Sequence, residues 1–178
     1  MRKAVLITVA AAAIGAGLVS PAGAADTTTT FALTAGSLTI SAPASKNLGS
    51  AATGTATITA QLGSTTVTDA RGTLLGSWTA SVSSTDFTTG LATADETVGK
   101  AVVDYWSGLA TGTTGTGTFT PGQVASVNKQ ALSASRTAFS AAAVIGNNSA
   151  TWNPTLVVNV PVQAVVGTYS GTVTHSVA

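Results

Sequence analysis

"GSWTASV", residues 76–82, alternates strictly, with Trp78, Ala80 and Val82 on one side and Ser77, Thr79 and Ser81 on the other. A period of two with one apolar face is what a half-buried antiparallel strand requires. It puts a large indole on the side that faces a core. The same alternation recurs along the chain. "TATITAQL" (55–62) aligns Ile58, Ala60 and Leu62, and "TLVVNVPV" (155–162) aligns Leu156, Val158, Val160 and Val162. "TYSGTVTHSV" (168–177) aligns Tyr169, Val173, His175 and Val177.

β-Branched Thr and Val dominate the rest, and further strands are expected at 31–41, 65–70, 100–107 and 131–141. Turn-forming stretches separate them: "APASKNLGS" (42–50), "LGS" (62–64), "TGLATADETVG" (89–99), "TPGQ" (120–123), "IGNN" (145–148) and "VVG" (165–167). The pattern predicts an all-β fold of about eight strands, an antiparallel β-sandwich of the immunoglobulin or adhesin type. Pro161 cannot donate to a ladder, so it marks an edge or a bulge. "ATGTTGTGTFTPG" (110–122) reads as a flexible hairpin tip or loop. Its glycines do not form a phosphate-binding fingerprint.

Arg2 and Lys3, an apolar run, and Ala22-Gly23-Ala24 form the pattern of a cleavable export signal over 1–24. The apolar run is shorter than the roughly 20 residues of a membrane-spanning helix. Residues 25–30 then read as a flexible polar tail, and 31–178 as one domain. The chain has no cysteine, which excludes disulfides and thiolate metal sites. Of its seven basic residues, removal of Arg2 and Lys3 leaves five against six acids, a balance of −1. Charged residues make up 7% of the chain, against about 25% in a typical domain, so no electrostatic footprint for nucleic acid or an anionic membrane exists.

Little in the sequence suits catalysis. The only histidine, His175, lies on an apolar strand face, where packing is the ordinary role and a ligand or titrating contact the sharper one. Asp95 and Glu96 are adjacent in a turn, and six scattered acids make no defined pair for glycoside hydrolysis. The 86–96 loop leaves calcium open, without a spaced calcium-loop motif. Asp69 and Arg71 lie two apart and read as an ion pair ending a strand at Gly72. No catalytic residue, metal site or cofactor is therefore assigned. Trp78, Trp106, Trp152 and Tyr169 are the flat side chains that could stack on a sugar ring, with core packing as the alternative use. Alternation favours the core for Trp78, whereas Trp152, just before Asn153-Pro154, sits where partial exposure is expected.

"VTDARGTLLGSWTASVSSTDF" (67–87) resembles the first signature of the WxL family of Gram-positive surface proteins, with Trp78 as the tryptophan and Thr79 as the x. "ATWNPTLVVNVPVQAVVGTYSGTVTHSV" (150–177) resembles the closing strands of that family. Ala80 stands where the motif has leucine, and the second W-x-L reads His175-Ser176-Val177. The resemblance implies a sandwich-like domain, exported and held non-covalently on the cell wall by contact with peptidoglycan. The expectation is thus a secreted, non-enzymatic cell-surface protein whose partner is cell-wall glycan or peptidoglycan, with other surface proteins as further partners. No contact with nucleic acid is expected, and none with the membrane once the signal is removed. The alternative is a structural subunit of a surface layer, pilus or coat, for which low charge and Thr/Val-rich strands are suited.

Overall fold

The computed structural model describes residues 23–178; the export signal expected over 1–24 lies outside them except for Gly23 and Ala24. The chain divides into two units, Met1–Leu33 and Thr34–Ala178. In the first, residues 23–33 have no strand or helix and are exposed, Phe31 and Leu33 both at 90%.

The second unit is an antiparallel all-β sandwich. Its strands are β1 (Leu38–Ser41), β2 (Thr57–Gln61), β3 (Thr65–Asp69), β4 (Leu74–Ser84), β5 (Phe87–Thr88) and β6 (Thr97–Val98). They continue with β7 (Val103–Trp106), β8 (Ala110–Pro121), β9 (Gln130–Ala131), β10 (Arg136–Trp152), β11 (Thr155–Asn159) and β12 (Val173–Val177). One sheet has six strands, a second has the order β2-β11-β7-β9, and β5 pairs with β6.

The 17-residue β10 organises the six-stranded sheet. Along one side it pairs with β8. Along the other it pairs first with β4 and then with β3, both antiparallel to it, so β3 and β4 are two halves of one interrupted strand. β1 covers β3 and β12 covers β4. The interruption is "ARGT" (70–73), where five steps from Asp69 to Leu74 face three steps from Asn148 back to Ile145. That mismatch bulges both strands, and it is met on β10 by Ala143 and Gly146 at φ 52° and 69°.

Two turn assignments are corrected here. "IGNN" is not a turn between strands but the irregular middle of β10. "ATGTTGTGTFTPG" is not a loop but forms β8, a 12-residue strand. Its glycines let the backbone come close to the bulges of β10. A Cβ on Gly115 would stand 2.6 Å from the Asn147 carbonyl oxygen, and one on Gly122 would stand 2.0 Å from that of Thr137. Strand β11 ends at Asn159, so Pro161 lies beyond the ladder, and Val162 is 98% exposed rather than on the expected apolar face. Beta-strand β1 begins at Leu38, well inside the span expected from Phe31.

Between the sheets lie Trp78, Trp152, Tyr105, Phe139, Leu132, Leu156 and a set of valines. Phe139 stacks on Trp152 at a centroid distance of 5.0 Å and on Trp78 at 6.4 Å. The three rings form a continuous aromatic slab within a core otherwise built of valine, alanine and a few leucines. The chain crosses from one sheet to the other at Asn153-Pro154, between β10 and β11. There the Asn153 side chain accepts from Gly63 N and the Pro154 carbonyl accepts from Leu62 N.

Candidate functional site

Of the four aromatic residues considered for sugar contact, two are enclosed. Trp78 is 2% exposed and Trp152 0%, so neither indole has a face free for a ligand at the surface. For Trp152 this corrects the partial exposure expected at the strand mouth. The chain folds straight over it into β11, and Phe139 covers its ring. Trp106 alternates with buried Tyr105 on β7 and is half-buried, on the side away from the core. Tyr169 is half-buried and borders a wide cleft.

That cleft, about 790 Å³, lies between two long irregular segments, 42–56 joining β1 to β2 and 160–172 joining β11 to β12. Ile58, Val98, Val158 and Phe87 line it with apolar surface, while Ser45, Asn47, Thr53, Thr55 and Ser170 bring hydroxyl and amide groups. Among the described residues lining it, Lys46 is the single charged one. The Tyr169 hydroxyl donates within the same region, 2.9 Å from the Val165 carbonyl and 3.2 Å from that of Asp95. These bonds fix the ring at the edge of the cleft. The arrangement suits recognition of a neutral, hydroxyl-rich molecule with apolar ring faces, within the roughly 300–1,000 Å³ range of small-molecule sites.

The residues that carry the motif resemblance are joined in the core. Trp78 Nε1 donates to Asn148 Oδ1 at 2.9 Å, and Asn148 Nδ2 donates to Asp69 Oδ2 at 3.2 Å. An indole only donates and a carboxylate only accepts, so the amide has one orientation that serves both. Arg71 grips Asp69 with two parallel bonds, Nε to Oδ1 at 2.9 Å and Nη2 to Oδ2 at 3.0 Å, and also reaches the Ser77 carbonyl. The Asp69 side chain is fully buried and that of Arg71 is 31% exposed. The hydrogen bonds from Arg71 hold the Asp69 carboxyl below its ordinary range, burial opposing them. The expected ion pair is therefore present, and it extends into a four-residue chain that pins the bulge between β3 and β4 to β10.

A second chain runs through the other side of the core. Trp152 Nε1 donates to the Tyr105 hydroxyl at 3.2 Å, and that hydroxyl lies 3.1 Å from His175 Nε2. The Tyr105 O–H has no other acceptor among the described residues, so it donates to Nε2, which leaves the proton of the neutral imidazole on Nδ1. Burial pushes the His175 pKa down to about 4 and raises that of Tyr105. The packed role is the one observed for His175, at the position where the resemblance expects the second tryptophan.

Three further carboxylates have local partners. Asp104 pairs with Lys129 and accepts from Asn159, Asp86 accepts from Lys100 N, and Glu96 caps the turn at Thr93. Bonds from Thr93 hold the Glu96 carboxyl below its ordinary range. Among the described residues no group of three or more His, Cys, Asp or Glu is placed to hold a metal. Comparison with known proteins finds no family model, no curated protein and no solved structure that matches this chain.

The cleft was the feature that strand patterning missed. Its first wall, 42–56, carries neither periodicity nor motif, and "APASKNLGS" reads as a turn; the second falls within the 150–177 stretch, which reads as strands rather than as a cleft wall. The usable signal was length: irregular segments of more than about a dozen residues inside a small domain are uncommon and are enriched in function.

Proposed function

We propose that this is an exported, non-enzymatic surface protein of the WxL type that binds the glycan of the cell wall by non-covalent contact. The cleft between 42–56 and 160–172 carries this reading: hydroxyls and amides stand over an apolar floor, with Tyr169 at its edge. Such a surface holds carbohydrate by ring stacking and neutral hydrogen bonds. The "DARG" stretch and Trp78 contribute the frame on which the cleft loops are mounted, and they make no contact with the ligand. Incubating the purified protein with isolated Gram-positive walls tests the proposal. Retention at physiological salt is expected, with Tyr169→Ala weakening it; a protein that stays in the supernatant overturns it.

One observation favours a second reading, a subunit of a surface assembly. Among the described residues strand β8 pairs only with β10, and the 12 residues from Ala110 to Pro121 include no charged side chain. An uncharged edge of that length invites pairing with another chain. Light scattering and electron microscopy decide it, since a strict monomer at high concentration removes this reading.

A further inference from the structure

Hydroxyls, amides and apolar carbons account for a neutral ring in the cleft, and they leave Lys46 without a role. Lys46 is exposed and borders two hollows at once: the cleft, and a smaller cavity of about 170 Å³ that Thr65 and His175 also line. A lysine carries its charge on a flexible four-carbon stem, so from this position the ammonium reaches the mouth of either. Arg71 and Lys129 are held by carboxylates, and Arg136 by the Ala131 carbonyl. Lys46 has no ion pair among the described residues.

The linings do not neutralise that charge. Among the described residues, no Asp or Glu lines either hollow. Two acids stand nearby but outside the linings: Asp86 accepts from Lys100 N, and Asp95 meets the Tyr169 hydroxyl through its backbone carbonyl. His175 is buried and neutral, its pKa pushed down to about 4. The residue beside Lys46 strengthens the bias. Asn47 Oδ1 already serves Gly49 N at 2.8 Å, and the N–H donors of the same amide remain for the cleft that Asn47 lines. An ammonium has donors only. Two adjacent donating side chains, in linings free of acids, favour a group that only accepts and carries negative charge.

We propose that Lys46 makes the cleft selective for a sugar that bears an anionic group, a carboxylate or a phosphate, which sits where the two hollows meet and accepts from Lys46 Nζ and the Asn47 amide. The proposal rests on the reading of the cleft as a glycan site and adds the chemical class of the sugar. Carboxylate and phosphate present the same acceptor oxygens, so the ligands of the test separate them.

The test is a titration of the purified protein with glucose, glucuronate and glucose 6-phosphate, which share a ring and differ at one end. Binding is read on the backbone amide resonances of residues 44–50. At low salt at least one of the acids binds about three- to tenfold more tightly than glucose, the scale of one charge-assisted bond at a partly exposed site. Whichever acid acts identifies the anion. Raising the salt to about 0.5 M shrinks the preference by screening. Lys46→Met brings the acids down to the affinity of glucose, whereas Lys46→Arg keeps the preference. Equal affinity for all three ligands, a preference that persists in Lys46→Met, or no shift with any of them up to about tens of millimolar overturns the proposal. Wall retention without an acid preference removes the selectivity and leaves the wall reading; an acid preference without wall retention does the reverse.

Discussion

Two hydrogen-bond chains start from buried tryptophans and end differently. The one from Trp78 passes through Asn148 to Asp69 and closes on Arg71, whose guanidinium reaches solvent. Its indole, amide and carboxylate are all matched. The one from Trp152 passes through Tyr105 to His175 and stops at a cavity, beside an unpartnered threonine hydroxyl. The first chain ends with every polar group matched, whereas the second ends beside a cavity. The difference separates the part of the core that ties β3 and β4 to β10 from the part that borders a cavity.

The largest expected effect breaks the closed chain at its root. Trp78→Ala removes the slab's end ring and orphans Asn148, and it lowers the unfolding free energy by about 3–5 kcal/mol, read from urea denaturation. Asn148→Ala is smaller, about 1–3 kcal/mol by the same measurement, because it leaves the indole N–H buried and unpaired.

Acid separates the two chains without mutation. His175 has a folded pKa near 4 and an unfolded value of about 6.5, so the unfolded state binds more protons between those limits. Stability therefore falls as pH drops through that window, by on the order of 2 kcal/mol, and His175→Phe flattens the slope there. Asp69 has a depressed pKa, so its contribution is complete above about 3.9 and is lost only at lower pH. Denaturation midpoints at pH 7, 5 and 3 resolve the two steps. A loss confined to below pH 4 removes the assignment of neutral, buried His175.

The smallest effect sharpens the contrast. Thr65→Val leaves stability within about 1 kcal/mol of the parent or raises it slightly, because a hydroxyl without a partner contributes nothing to hold. A larger loss by calorimetry shows that Thr65 is bonded and that the second chain is closed as well.

Strand alternation made the sandwich legible, and Trp78, Ala80 and Val82 lie buried as their spacing requires. Period-two reasoning failed where backbones approach too closely for side chains. Gly115, Gly117 and Gly122 resemble loop residues in sequence, yet they serve β8 by fitting against the bulges of β10. It also failed on length, since "IGNN" interrupts β10 without ending it. The Asp69–Arg71 pair was readable from its spacing. Its link to Asn148, 79 residues away, was not, because no local pattern encodes a contact across the sheet. Likewise Tyr105 and His175, 70 residues apart, carried no sign of their bond. Tyr169 was placed among the candidates by residue type alone, and only the fold set it beside the cleft.

The position of β10 in the chain has a consequence for how the molecule is made. β3, β4 and β8 are all synthesised before Arg136, and each takes its register from residues 136–152. No early hairpin settles the centre of the six-stranded sheet, because the strand that joins β3, β4 and β8 is synthesised after all three. Closure over such sequence distances is slow, in the range of about milliseconds to seconds. The six-stranded sheet therefore closes only once residues 136–152, in the last quarter of the chain, are available.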